Sequence, residues 1–238
     1  MSLIDFFSPV FSADFAERNE YLNSQLGKVI VPYTVEFPDL YTADKKPQLA
    51  LIGVEEDRGA VGNKGCAKGP DEVRKHLYAL YQGDYKVSIV DLGNIKAGAT
   101  ITDTYAAVRL VVEELVKLDI LPIIIGGGQD LTYAQYLGYE NLEQKVEVAI
   151  IDAKFDLDQE NAQDMPLNSQ TYLNKIILHQ PDYLFNLSNI AFQTYLVSKE
   201  SINMYDKLFF TTQRLGSISG KLNQAEPVLR AADMVSFD

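Results

Sequence analysis

The stretch Leu121–Asp158 reads LPIIIGGGQD, then LTYAQYLGYENLEQK, then VEVAIIDAKFDLD, and it decides the fold. Two short apolar runs, Leu121–Ile125 and Val146–Ile151, are rich in Ile and Val and interrupted only by Glu147. Such runs suit strands buried on both faces of a parallel sheet. Each ends in polar residues, Gly126–Asp130 after the first and Asp152–Asp156 after the second. Open α/β sheets gather their ligands at the carboxyl ends of strands. Gly127, Gly128, Gln129, Asp130, Asp152, Lys154, Asp156 and Asp158 are therefore the candidate site residues. Asp152, Lys154 and Asp156 are two apart, so they point the same way while the chain stays extended. Carboxylates that converge repel each other unless a cation lies between them. Either a metal or the Lys154 ammonium can be that cation.

Outward from this stretch, strand and helix patterns alternate. Strands are expected at Gln48–Val54, Lys86–Leu92, Tyr183–Ile190, Lys207–Thr211 and Ala232–Asp238. Helices are expected from Ala13 to Leu26 after Ser12, from Pro70 through Leu80, and from Asp103 to Lys117 with Ala106, Leu110, Val111 and Leu115 buried. Further helices follow Asp130 or Thr132 as cap, then at Thr171–Leu178, Ser198–Tyr205 and Leu222–Ala232. This alternation implies α/β architecture, a three-layer sandwich with a central parallel sheet and right-handed crossovers. Residues 1–47 read as an N-terminal helix and an irregular, Pro-rich arm packed on a domain that spans 48–238.

Composition narrows the function. A chain of 238 residues, 47% hydrophobic and 23% charged, can bury one α/β core. The net charge of −12 argues against nucleic-acid or anionic-membrane partners. The one cysteine, Cys66, rules out an internal disulfide and fits a reducing, cytoplasmic setting. No apolar run reaches membrane-spanning length, and the N-terminus lacks a secretory pattern. Two histidines, His76 and His179, rule out a site built on several imidazoles. GGGQDL departs from G-x-G-x-x-G and no Walker-type G-K-[ST] occurs, which argues against nucleotide binding.

GGGQD followed by DAKFD resembles the GGDHS and DAHxD signatures of the ureohydrolase family, which comprises arginase, agmatinase and formimidoylglutamase. IGVEEDRGAVGNKGCAKGPDEVRKHL is similar to the family's opening strand, glycine-rich loop and GP-x-x-[IVL]-R helix, with Arg74 expected as a structural ion-pair partner. MVSFD resembles the start of SFDxDxxDP, with Asp238 at its first carboxylate. The resemblance implies an arginase-like fold and a binuclear manganese centre held at Asp152, Asp156 and Asp238. The family's two motif histidines fall on Gln129 and Lys154, and its final segment is absent from these residues. The resemblance therefore implies a decayed metal site with manganese absent or reduced, weak or no hydrolysis, and Lys154 neutralising the carboxylates by ion pairing. The alternative is a divergent metal-dependent hydrolase of a linear amidine such as formimidoylglutamate. A third reading has Gln129, Asp130, Asp152, Asp156 and Asp158 holding one magnesium or calcium ion through oxygen. A small amidine or amino acid is the expected ligand, and the family implies a homo-oligomer.

Overall fold

The computed structural model describes residues 2–10, 20–42, 46–142, 144–157 and 165–238. The chain forms two compact units, Met1–Gly138 and Tyr139–Asp238. The division at 47/48 expected from the sequence does not coincide with them, because the N-terminal arm supplies two strands to the first sheet.

In the first unit the elements are β1 (Phe7–Ser8), α1 (Leu26–Val29), β2 (Val31–Pro32), β3 (Leu49–Val54), α2 (Gly69–Ala79), β4 (Ile89–Ile95), α3 (Ile101–Lys117), β5 (Leu121–Ile125) and α4 (Leu131–Leu137). The sheet order is β1-β4-β3-β5, with β2 also on β4. The core strands β4, β3 and β5 run parallel. β3 and β4 are buried almost throughout, as strands covered on both faces must be. The chain winds from β3 out to β4, then back across to β5. Right-handed crossovers therefore place α2 and α3 on opposite faces. The reversal makes the carboxyl ends of β3 and β5 a topological switch point.

Half of the expected helix, residues 13–19, lies outside the described residues; residues 20–25 are turns and an isolated bridge, and helix α1 begins only at Leu26. Helix α3 starts at a capping box in which Thr100 Oγ1 accepts from Asp103 N while Asp103 returns a bond to Thr100 N. Its buried face is Thr104, Tyr105, Ala107, Val108, Val111, Val112 and Leu115, whereas Leu110 is exposed and Ala106 lies outside it. The helix is thus rotated from the orientation the sequence predicts. β5 reads from sequence as a strand buried on both faces; among the described residues it pairs with β3 alone and Leu121 is exposed, so it is an edge of this sheet.

Arg74 shows how α2 is locked to the sheet. Its guanidinium is fully buried and grips Asp91 of β4 through two bonds of 2.8 and 2.9 Å. It also donates to the Gly93 carbonyl at 3.0 Å. Tyr78, one turn further along α2, donates to the same carboxylate at 2.9 Å.

The second unit contains β6 (Val146–Ile151), α5 (Tyr172–Ile177), β7 (Leu184–Phe192), α6 (Lys199–Lys207), β8 (Thr211–Arg214), α7 (Leu215–Ile218), α8 (Glu226–Ala231) and β9 (Met234–Phe237). All four strands are parallel in the order β8-β7-β6-β9. Winding runs β6, β7, β8 in one direction, so α5 and α6 share one face; the return to β9 puts α7 and α8 on the other. The carboxyl ends of β6 and β9 form the switch point. The strand expected at Lys207–Thr211 is displaced to Thr211–Arg214. Lys207 closes α6, and Phe209 adopts a left-handed φ of 59° with its ring in solvent.

Candidate metal centre

Asp152 follows the last residue of β6 and Asp238 follows the last residue of β9, so the two neighbouring strands deliver their carboxylates to the same switch point. Asp156 joins them from the loop after β6. One carboxylate oxygen from each of Asp152, Asp156 and Asp238 lies within 4.8 Å of the others. Asp152 is buried, Asp156 half-buried and Asp238 exposed.

Local backbone explains the convergence. The Lys154 N–H turns back to donate to Asp152 Oδ1 at 2.9 Å. Asp156 sits at a left-handed φ of 43°, a conformation that carboxamide and carboxylate side chains tolerate better than most. Asn189 of β7 donates to the Lys154 carbonyl at 3.0 Å and steadies the same loop. The chain is therefore not extended from Asp152 to Asp156, and the alternation expected from sequence does not hold there.

Lys154 differs from its expected role. Its side chain is exposed. Among the described residues it makes no ion pair within 4.0 Å of Asp152, Asp156 or Asp238. An ammonium gains more from full hydration than from entering a half-buried corner. Its charge draws down the carboxyls of Asp156 and Asp238, but burial and then neighbouring Asp152 outweigh it. The Asp156 carboxyl is pushed up to about 8 as a result. Lys154 instead lines a cavity of about 540 Å³ together with Asp156, Gln170, Ser198, Glu200 and Ser201.

Gln129 and Asp130 belong to the first unit, at its own switch point. Gly127 packs so closely on Glu56 that a Cβ would collide with the Glu56 carbonyl oxygen, and Gly128 N donates to that oxygen at 3.1 Å. Asp130 does not cap α4 through its side chain. It is fully buried, accepts from Tyr105 Oη at 2.6 Å, and burial raises its carboxyl. Gln129 Nε2 is buried without a hydrogen-bond partner among the described residues. Asp158 lies outside the described residues.

Glu56 was not anticipated from the sequence. It is buried and held by Arg58 Nε at 2.9 Å and by Thr104 Oγ1 at 2.8 Å. Burial alone would raise its carboxyl; the bonds from Arg58 and Thr104 more than offset this and hold it down at about 2. A carboxyl depressed on folding stabilises the protein above its unfolded value, near 4.5, and that stability is lost as pH falls toward 2. Glu56→Gln is expected to remove on the order of 2 kcal/mol at neutral pH, allowing for screening at half-exposed Arg58, and to flatten the loss between these pH values. Urea midpoints of both proteins at pH 6 and pH 3, values on either side of the roughly 4.5 threshold, check this.

The profile of the Arginase family matches residues 47–235. This chain belongs to the Arginase family. Among curated relatives, formimidoylglutamase of Streptococcus gordonii is 31% identical over 135 residues, covering 52% of this chain and 41% of that protein. Formimidoylglutamase of Staphylococcus haemolyticus is 28% identical over 153 residues, covering 60% and 48%. The matches thus span less than half the length of these relatives. The fold agrees with solved structures. Bacillus subtilis formimidoylglutamase superposes with a TM-score of 0.70 at 15% identity, covering 97% of this chain and 71% of that one. Trypanosoma cruzi formiminoglutamase with Mn2+ gives 0.69 at 18%, covering 80% and 69%. The arginase-family fold of this chain is α/β, with parallel sheets layered between helices.

Three oxygen donors suit a hard divalent cation such as manganese or magnesium. Asp152 Oδ2 is buried with no hydrogen-bond partner among the described residues, as expected of an atom facing a cation. These three carboxylates fit one ion. Within the second unit, the position expected from the motif to add an imidazole carries Lys154, a hydrated ammonium.

Proposed function

We propose that this arginase-family chain retains a three-carboxylate site for one hard divalent cation, in place of a binuclear centre, and is weak or inactive as a hydrolase of linear amidines. The observation that carries this reading is the convergence of Asp152, Asp156 and Asp238 within 4.8 Å while Lys154, beside them, stays in solvent. Three carboxylates so close repel one another, and a divalent ion relieves that repulsion. When bound, the ion supplies Lewis-acid polarisation. The chain's own residues orient it: Asp152 is fixed by the Lys154 N–H, and Asp238 by its own N–H on the Ile151 carbonyl at 3.1 Å.

The second reading, a divergent hydrolase of formimidoylglutamate or a related amidine, draws support from the formimidoylglutamases among the relatives. The cavity beside Asp156 adds to it, since Glu200 suits a cationic amidine and Lys154 a carboxylate. Metal analysis and calorimetry with Mn2+ separate the two, alongside assays of urea, ammonia and formamide release from arginine, agmatine and formimidoylglutamate. One Mn2+ per chain is expected, with turnover roughly 100-fold or more below an active family member assayed in parallel. Two ions per chain with turnover comparable to that control favour the second reading and overturn the first.

A further inference from the structure

The second unit holds two buried phenols whose hydroxyls find no hydrogen-bond partner among the described residues. Tyr172 opens α5 and Tyr205 lies near the end of α6, two helices on the same face of the sheet. Neither ring has measurable exposure. The Tyr205 ring stacks on Phe155, the residue before Asp156, with centroids 4.1 Å apart. The hydroxyls of both tyrosines are buried with no hydrogen-bond partner among the described residues. Asn189 Oδ1 and Asp152 Oδ2 are in the same condition. A buried hydroxyl left unpaired costs about 1–3 kcal/mol, and folded proteins pair nearly all of them. All four atoms lie in the second unit, on α5, α6, β7 and the residue that follows β6. After burial, Asp156 is the largest influence raising both hydroxyls, with Asp152 contributing to each.

We propose that Tyr172 and Tyr205 are positioning residues for the cation site, their hydroxyls, unpaired among the described residues, donating through ordered water to the carboxylates of Asp152 and Asp156 and holding them in ligating orientation. This rests on the one-cation reading above. Each phenol hydroxyl supplies a donor to a carboxylate oxygen that the ion leaves free. Such outer partners fix ligand direction, and their loss weakens metal binding without touching the ligands. Phenylalanine is the matched replacement, since it keeps the ring and the stack on Phe155 and deletes only the hydroxyl.

The test uses the full chain with Tyr172→Phe and Tyr205→Phe made separately. Mn2+ affinity is measured by calorimetry, the bound ion by its paramagnetic resonance spectrum, and the thermal midpoint in EDTA. Each variant is expected to bind Mn2+ about tenfold more weakly. The resonance spectrum should broaden, and the midpoint in EDTA should be equal to or above that of the unmodified chain, because an unpaired buried hydroxyl has gone. Unchanged affinity in both variants overturns the proposal and leaves the one-cation reading standing. A lowered midpoint in EDTA gives the hydroxyl a structural role and also overturns it. If the unmodified chain binds no Mn2+, the one-cation reading and this proposal fall together.

Discussion

Asp91→Ala is expected to cost about 3–5 kcal/mol of stability, the penalty for leaving a buried guanidinium with only the partly exposed Asp71, 3.2 Å away, as counter-charge. Arg74 and Asp91 both have no exposed side-chain surface, so water cannot replace the lost carboxylate. Tyr78 Oη loses its acceptor in the same change. The loss is concentrated because Asp91 serves Arg74 and Tyr78 together, and these residues join α2 to β4. A surface pair gives the control. Lys75 and Glu72 meet at 2.8 Å with Glu72 largely exposed, and Glu72→Ala should cost under about 0.5 kcal/mol. Urea unfolding followed by far-ultraviolet circular dichroism measures both. Equal costs for the two substitutions would show that the buried pair contributes no more than its surface counterpart.

Arg74 also shows why part of this fold was legible in the sequence. Gly69-Pro70 announces a helix start, and an arginine one turn later on the face that meets a strand has few destinations other than a carboxylate. The apolar runs at Leu49–Val54, Leu121–Ile125 and Val146–Ile151 were legible for a similar reason, since continuous Ile, Val and Leu suit a covered parallel strand. β8 was not. Its residues, Thr211-Thr212-Gln213-Arg214, lie on an edge strand paired, among the described residues, only with β7, and an edge strand needs no apolar signal. The neighbouring Leu208-Phe209-Phe210 drew the expected strand four residues too early, although Phe209 is in solvent. Helix α3 misled in a subtler way. Its exposed Leu110 imitates a core position, while Thr104 and Tyr105 are buried through polar bonds to Glu56 and Asp130. Period alone ranks a leucine above a threonine.

The site divides along the same line. Carboxylates at the ends of strands can be read from spacing, because a strand end has a fixed place in an α/β sheet. The conduct of Lys154 cannot, because it depends on whether the chain remains extended after Ile151. It does not: an Asp152 carboxylate captures the Lys154 N–H, and Asp156 turns left-handed. Tyr172 and Tyr205 gave no local signal at all. They come to one face of the sheet only through the shared handedness of two crossovers.

Replacing a single carboxylate should reverse sign with the metal. Asp156→Asn keeps the shape of the side chain and, above the pH of about 8 to which burial and Asp152 push Asp156, removes one of three crowded negative charges. In EDTA, Asp152 and Asp238 no longer face a third carboxylate, and the thermal midpoint of the variant should rise above that of the unmodified chain. In saturating Mn2+ the order should invert. An ion at about 100 times its dissociation constant adds about 2.7 kcal/mol to the unmodified chain. The variant, with one charged ligand fewer, should bind at least about 100-fold more weakly and gain little. Lys154→Ala provides the matching contrast. Its ammonium is exposed and unpaired with the three carboxylates, so its removal should leave the EDTA midpoint nearly unchanged and strengthen Mn2+ binding slightly. Had the lysine been the resident counter-ion of this corner, the same substitution would lower the EDTA midpoint by as much as Asp156→Asn raises it. The two EDTA midpoints, compared with that of the unmodified chain, therefore decide whether a metal or an ammonium is the cation these carboxylates are arranged around.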